Sequence, residues 1–279
     1  MSLFEAAVLG LAQGLSEFLP ISSSGHLALL EYFFGIDEDR VLSFAAMLHL
    51  GTLVSIFLVY HRDISELLRE LAAVVRDIFS GRGLRVGANE TRRLGFMIIA
   101  ATIPTAAAGL LLKETVDGLY SSITAVGAGL IVTGALLFVS ERLAQGGRRV
   151  CGMKFRHAVF IGLMQSVALC PGISRSGATI VGGLFSGLER GFAVRFAFLI
   201  SIPSVLGAVV LEAPDAFREG MGADMLAPVL LGVAIAAVSG FFAIKAMIKV
   251  VSGRKLYRFS IYTWALGAAA IAYSLLRAY

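Results

Sequence analysis

The sequence predicts an all-α polytopic membrane protein made of two inverted-topology repeats, each with one re-entrant helix-loop-helix hairpin and three transmembrane helices. Composition is the first observation behind this fold class. Of the 279 residues, 57% are hydrophobic and 15% are charged, whereas soluble domains carry about 25% charged residues. The apolar stretches do not alternate in polarity, which excludes a membrane β-barrel. The order of apolar segments and an internal repeat complete the prediction of a single integral membrane domain over residues 1–279.

Six segments are long and apolar enough to cross the hydrocarbon core of a bilayer, about 30 Å thick, as helices. They are residues 41–60, 94–112, 123–140, 192–211, 225–248 and 257–276. Four other apolar pieces are shorter and are paired around small polar loops: residues 3–19 with 24–34, and 157–170 with 178–188. Because each arm is short for a full crossing, we expect two re-entrant hairpins.

Basic residues are concentrated in three of the connecting segments. Residues 61–93 contain seven arginines, and residues 141–156 and 245–258 contain five basic residues each. By the positive-inside rule these segments are cytoplasmic, which puts both chain termini outside. The net charge of +5 therefore reflects membrane orientation, and we expect no nucleic-acid partner. Residues 62–77 have the charge spacing of an amphipathic, solvated surface helix. The acidic loops expected outside are 36–40, 113–121 and 212–224.

An internal repeat with an offset of 152 residues relates the two hairpins. Residues 10–45 align without a gap to residues 162–197 with eleven identities in 36 positions, where the composition predicts about three by chance. The repeats extend over about 1–140 and 153–279. Since each contains an odd number of crossings, the second is inverted, and the two hairpin tips approach each other inside the membrane. Irregular backbone at that depth must be buried in protein or line a cavity, so we expect the site at the tips.

The first tip combines a carboxylate, a histidine and three hydroxyl groups. Gln13 and Glu17 are four residues apart and share one helical face, and a carboxylate in an apolar arm needs polar partners or a cavity. Glu17 could brace the loop structurally, but the neighbouring His26 favours a functional role. His49, within a span, is expected to pack or to bond to its own helix. The small residues of the tip are Ser22, Ser23, Ser24 and Gly25.

Arg175 lies in the second tip, at the repeat position of Ser23. Its planar guanidinium presents a fork of donors that fits phosphate oxygens. Loops of Ser and Gly that open a helix also offer backbone N–H groups to an anion. The neighbouring residues expected to bind phosphate are Ser174, Ser176, Gly177 and Thr179, together with Ser22, Ser24 and Gly25 of the first tip. The two tips therefore predict a site that handles phosphate.

These residues resemble two motifs of the bacterial undecaprenyl-diphosphate phosphatases, also called bacitracin-resistance proteins. The first family motif, Glu/Gln-x-x-x-Glu-Phe-Leu-Pro-(Ile/Val)-Ser-Ser-(Ser/Thr)-Gly-His, matches residues 13–26. The second, Pro-Gly-x-Ser-Arg-Ser-Gly-Ala-Thr, matches residues 171–179. Size and hydropathy pattern are also similar, so the likeness covers essentially the whole chain. Many members have Glu where this chain has Gln13, and a neutral amide is a poorer metal ligand.

The resemblance implies an integral membrane hydrolase that converts undecaprenyl diphosphate to undecaprenyl phosphate and inorganic phosphate. This activity recycles the lipid carrier of peptidoglycan synthesis and confers bacitracin resistance. The resemblance also implies a bacterial plasma-membrane location, a site open to the outer face, and a divalent cation, Mg²⁺ or Ca²⁺, with Glu17 and Gln13 as candidate ligands. It places Glu17, Ser23, His26 and Arg175 in the active centre. Expected partners are the polyprenyl diphosphate and membrane lipids, and a homodimer is left open.

The residues suggest a mechanism in which Arg175 and the loop N–H groups hold the diphosphate. Ser23 attacks the terminal phosphorus, and His26 serves as its acid/base partner. His26 as the nucleophile, or as the activator of a water molecule, is left open. The competing function is a polyprenyl-phosphate flippase, because inverted repeats with broken helices are also a transporter plan. Glu17 together with His26 favours hydrolysis, since transport needs binding but no acid/base groups.

Overall fold

The computed structural model describes residues 1–35, 38–120, 122–143, 146–218 and 225–277. Within these ranges the chain forms α-helices, a short 3-10 helix at Val150–Gly152 and an isolated bridge between Arg148 and Leu188, but no β-strand. The α-helices are α1 (Leu3–Phe18), α2 (Ser23–Phe34), α3 (Glu38–Val59), α4 (His61–Phe79), α5 (Glu90–Leu111), α6 (Lys113–Tyr120), α7 (Ile123–Leu143), α8 (Phe155–Val167), α9 (Arg175–Phe185), α10 (Arg190–Arg218), α11 (Leu226–Ser252) and α12 (Tyr257–Arg277). The prediction of an all-α protein is confirmed.

Five helices of the described chain are long and apolar enough to cross a membrane, namely α5, α7, α10, α11 and α12. A sixth span is reached when α3 is counted together with α4, because Phe44–Val59 and His61–Phe79 meet at an angle of 87°. A multi-pass protein with five or six spanning helices is therefore confirmed. Two of the segments that we expected to be outer loops are partly helical in the structure. Residues 113–120 form α6, and α10 continues to Arg218. Residues 219–224 of the last outer loop, and residues 36 and 37 of the first, lie outside the described residues.

Helix α4 has an apolar side that is exposed rather than packed on the protein. Leu68, Leu71 and Phe79 are 61%, 56% and 88% exposed. The helix and its amphipathic character agree with the sequence prediction, but a fully solvated helix would not carry this apolar stripe. A helix of this kind, nearly perpendicular to the preceding span, is typical of the membrane interface.

An ion-pair cluster fixes α4 against the start of α5. Arg92 is buried; its Nη1 donates to Asp77 Oδ2 at 2.7 Å and its Nε donates to Glu70 Oε2 at 2.9 Å. Asn89, the cap of α5, donates its side-chain amide to Glu70 Oε1 at 2.7 Å. Two of the four acidic residues of α4, Glu70 and Asp77, thus face the start of α5, and the apolar stripe lies on an exposed side of the helix.

Glycines at repeat-related positions allow close crossings between the two halves of the chain. A Cβ on Gly10 would lie 2.5 Å from the carbonyl oxygen of Gly232 in α11. One on Gly162 would lie 2.1 Å from the carbonyl oxygen of Ala101 in α5. The first arm of each hairpin, α1 or α8, therefore packs against a helix from the other half, as small residues at helix interfaces permit in membranes.

Gly162→Ala is expected to destabilise the protein, because the new methyl group must push α8 away from α5. Overpacking of this kind costs about 1–3 kcal/mol, which we expect to lower the melting temperature of the detergent-solubilised protein. Gly109→Ala in α5 is the control, because a Cβ there meets no atom within 4 Å. Equal melting temperatures for the two variants would contradict the close crossing.

Candidate active site

The first tip is the turn between α1 and α2, and α2 begins at Ser23. Ser22 has a φ of 70°, a left-handed conformation that is uncommon outside glycine. This bend lets the Ser22 side chain cap α2: the Gly25 N–H donates to Ser22 Oγ at 3.2 Å, and Ser24 Oγ lies 3.1 Å from the same atom. Three of the predicted phosphate-binding residues thus shape the start of α2.

The second tip repeats these contacts 152 residues further along the chain. The Gly177 N–H donates to Ser174 Oγ at 3.1 Å, and Ser176 Oγ lies 3.2 Å from Ser174 Oγ. Ser174 therefore caps α9 as Ser22 caps α2. Thr179 differs from the other predicted phosphate-binding residues, because its hydroxyl donates to the Arg175 carbonyl oxygen within its own helix, at 2.8 Å.

Helix α7 holds the second tip in place. Thr133 Oγ1 donates to the Gly172 carbonyl oxygen at 3.0 Å and accepts from the Ser174 N–H at 2.9 Å. Gly172 has a φ of 82°, and a Cβ on Gly129 would lie 2.2 Å from the Pro171 carbonyl oxygen, so the loop rests directly on α7. Sequence reasoning missed Thr133, because a threonine inside an apolar span carries no distinctive signal.

The two tips contact each other through polar groups. Arg175 Nη1 donates to Glu17 Oε1 at 2.9 Å, although the two residues are 158 positions apart. Ser176 Oγ donates to the carbonyl oxygen of Leu19 at 3.2 Å. The structure therefore brings the charged residues of the two motifs into one site.

Glu17 is the centre of this site. Its side chain is 6% exposed, and its Oε2 accepts hydrogen bonds from Ser23 Oγ at 2.6 Å and from Gln13 Nε2 at 3.1 Å. His49 Nε2 lies 3.8 Å from the same oxygen. A buried carboxylate is tolerated only with a cation and hydrogen-bond donors around it, and Arg175 and these side chains supply them.

Ser23 pairs with Glu17 rather than with His26, the partner that we expected from the sequence. The distance of 2.6 Å between Ser23 Oγ and Glu17 Oε2 directs the hydroxyl hydrogen at the carboxylate, which can accept the proton. The imidazole of His26 is bonded elsewhere: Nδ1 lies 2.8 Å from the Ser22 carbonyl oxygen, and Nε2 lies 2.6 Å from Tyr262 Oη. In this geometry the acceptor of the Ser23 hydroxyl hydrogen is Glu17, not His26.

Two residues near the site lie outside the sequence motifs. His49 bonds to its own helix as expected, through Nδ1 and the Ala45 carbonyl oxygen at 2.9 Å, but its other ring nitrogen faces Glu17. Tyr262 comes from α12, 236 positions from His26. An isolated histidine in a span can indicate a functional residue. A tyrosine near the start of a helix does not, since tyrosines are common at membrane interfaces.

A small pocket lies beside the ion pair of Glu17 and Arg175. Its lining consists of Glu17, Phe18, Arg175, Ser176, Thr179, Ala197, Phe198 and Ser201. Phe18 and Phe198 pack edge to face with ring centroids 5.4 Å apart, while the Arg175 side chain remains 25% exposed. A guanidinium and hydroxyl groups next to apolar rings suit a phosphate group carried by an apolar chain.

The residues around Glu17 fit a preformed divalent-cation site poorly. Mg²⁺ and Ca²⁺ take several oxygen ligands, whereas both oxygens of Glu17 already accept from Arg175 or Ser23. Gln13 Oε1 is buried without a hydrogen-bond partner, and it is the atom in the described site that best suits a cation. No group of three or more His, Cys, Asp or Glu in the described ranges is placed to hold a metal ion. The need for a cation stays a prediction.

The chain is similar over its whole length to proteins of a known family. The family model of the bacitracin resistance protein BacA matches residues 6–269. The undecaprenyl-diphosphatase of Alkaliphilus metalliredigens is 46% identical over 276 residues, which cover 99% of this chain and 100% of that protein. Proteins of the same name from Desulforapulum autotrophicum and Rubrobacter xylanophilus are each 43% identical, over 97% and 99% of this chain and 98% and 100% of their own lengths. The chain therefore belongs to the BacA family of bacitracin resistance proteins.

Proposed function

We propose that this protein hydrolyses undecaprenyl diphosphate to undecaprenyl phosphate and inorganic phosphate. The observation that carries the proposal is the contact of Ser23 with Glu17 beside Arg175, which joins a hydroxyl, a buried carboxylate and a guanidinium. The similar proteins named undecaprenyl-diphosphatase support the same substrate. The activity recycles the lipid carrier of peptidoglycan synthesis and accounts for resistance to bacitracin, after which the family is named.

Ser23 is the proposed nucleophile. Its Oγ attacks the terminal phosphorus while its proton moves to Glu17 Oε2, the bond from that phosphorus to the bridging oxygen breaks, and undecaprenyl phosphate leaves. Arg175 and the N–H groups at the starts of α2 and α9 stabilise the charge on the phosphoryl oxygens. Water then attacks the phosphoserine, inorganic phosphate leaves, and Ser23 regains its proton from Glu17.

Two other roles for His26 are alternatives to this mechanism. His26 is either the nucleophile itself or the base for direct attack by water, and in both cases Ser23 has no covalent role. The flippase alternative is not favoured, because a carrier needs Arg175 to hold a phosphate but has no use for a serine bonded to a buried carboxylate.

The proposed topology consists of two inverted repeats, about 1–140 and 153–279, in the bacterial plasma membrane. Matched helix caps at Ser22 and Ser174 and matched crossings at Gly10 and Gly162 support the duplication. The charge distribution of the loops supports both termini outside, and the family resemblance implies a site open to the outer face. A homodimer is left open as the assembly, and the mass of the detergent-solubilised protein decides it.

The function is tested by phosphate release from the purified protein in detergent. We expect inorganic phosphate from undecaprenyl or farnesyl diphosphate, at a rate that falls in excess chelator and recovers with Mg²⁺ or Ca²⁺, because a cation offsets the charge of the diphosphate. Full activity in excess chelator would remove the cation from the proposal. Absence of release under every condition would overturn the phosphatase function and favour a flippase, which requires two compartments.

A further inference from the structure

His26 and Tyr262 form a pair between the first hairpin and the last helix. Tyr262 Oη lies 2.6 Å from His26 Nε2, and the two rings stack with centroids 5.6 Å apart and an angle of 13° between their planes. Tyr262 is 44% exposed, whereas His26 is partly buried, so the tyrosine is the more exposed member of the pair. The attack by Ser23 uses neither side chain.

The hydrogen bonds of the imidazole determine where its proton lies. Nδ1 of His26 is 2.8 Å from the Ser22 carbonyl oxygen, and a carbonyl oxygen only accepts, so Nδ1 carries the hydrogen. In the neutral ring Nε2 is then an acceptor, and Tyr262 must donate to it. A phenol oxygen that donates its hydrogen can still accept one from water.

The second half of the proposed reaction needs a base other than Glu17. Glu17 holds the proton of Ser23 once the phosphoserine has formed, and it must return that proton to Ser23 Oγ. It is therefore unable to take a proton from the attacking water in the same step. His49 Nε2 lies 3.8 Å from Glu17 Oε2 and so faces the carboxyl group that holds this proton, whereas the accepting nitrogen of His26 is bonded to Tyr262.

We propose that Tyr262 and His26 activate the water that hydrolyses the phosphoserine, an inference that rests on the proposed phosphatase function. Water gives a proton to Tyr262 Oη as Tyr262 gives its own proton to His26 Nε2, so the tyrosine stays neutral. The water oxygen forms its bond to phosphorus, the bond to Ser23 Oγ breaks, and Ser23 takes the proton held by Glu17. The imidazolium then returns its proton through Tyr262 to the departing phosphate, which restores the starting state.

Tyr262→Phe tests the proposal, because it keeps the stacked ring and removes only the hydroxyl group. We expect kcat for phosphate release to fall about 10- to 100-fold, while formation of the phosphoserine continues. With a substrate radiolabelled in its terminal phosphate, the variant should therefore accumulate labelled protein and show a burst of undecaprenyl phosphate. Tyr273→Phe, about three turns further along α12, is the control and should keep the wild-type kcat without trapped label.

Several outcomes would overturn the inference. A wild-type kcat for Tyr262→Phe would do so, and so would a lower kcat without trapped label, which is what a purely structural role predicts. His26→Gln gives a second test if Tyr262→Phe fails to fold: trapped label supports the pair, and its absence excludes it. If the losses of kcat caused by Tyr262→Phe and His26→Gln added fully in the double variant, the two side chains would act separately. Failure of the wild-type protein to release phosphate would overturn the phosphatase function instead.

Discussion

Arg175→Lys is expected to lower phosphate release by about 100-fold or more, even though the positive charge is kept. Loss of one preorganised donor to a developing oxyanion costs about 10²- to 10³-fold in kcat. Lysine has a compact ammonium group without a planar fork, so it cannot present the paired donors that fit phosphoryl oxygens. The measurement is kcat and KM for phosphate release by the purified variant in detergent.

Arg190→Lys is the matched control for this substitution. Arg190 begins α10 and makes an ion pair with Glu141 at 3.0 Å, away from the two hairpin tips. We expect this variant to keep wild-type kcat and KM. If Arg175→Lys also stayed within a few-fold of the wild type, the guanidinium would have no special role in holding the phosphate.

Ser23→Ala and Glu17→Gln are each expected to reduce phosphate release by about 10²- to 10⁴-fold. The reason is the hydrogen bond of 2.6 Å through which Glu17 accepts the proton of Ser23. When two residues act in the same step, the losses of kcat caused by their substitutions do not add. The double variant should therefore lose little more activity than the worse single variant, which single-turnover kinetics with radiolabelled substrate will measure.

Ser16→Ala provides the control for the serine substitution. Ser16 is buried next to Glu17 in sequence, but its hydroxyl donates to the Ala12 carbonyl oxygen of its own helix, so its loss should leave turnover unchanged. Near-normal turnover in Ser23→Ala, combined with loss of turnover in His26→Gln, would exclude Ser23 as the nucleophile and favour His26 as the nucleophile or as the base for direct attack by water.

The placement of the site could be predicted because a repeat relates distant residues to one another. The offset of 152 matches the cap at Ser22 with the cap at Ser174, and it puts Arg175 opposite Ser23 in the alignment. The apolar segments likewise predict the spanning helices, since their length and composition are properties of the sequence alone. The equivalence of the two tips could therefore be predicted from the sequence before the fold was known.

Individual hydrogen bonds could not be predicted, because they depend on the direction of side chains in the folded turn. Ser23 is six residues after Glu17 and three before His26, and spacing alone does not choose between them. The left-handed turn at Ser22 and the reach of His26 towards α12 decide in favour of Glu17. Tyr262 contacts His26 although the two residues are 236 positions apart. Tyrosine is an ordinary residue in membrane helices, so its type gives no indication of this contact.

Because Arg175 forms an ion pair with Glu17, a substrate that binds Arg175 has to replace the Glu17 carboxylate as its partner. Any anion that binds Arg175 must compete with a carboxylate oxygen 2.9 Å from the guanidinium. A singly charged anion gains little from that competition, whereas a diphosphate offers several negative oxygens to the same fork. When Arg175 turns to the substrate, Glu17 keeps its hydrogen bond to Ser23 at Oε2 but loses its positive partner, which favours uptake of the Ser23 proton. Binding of the diphosphate and activation of the base are thus expected to occur together.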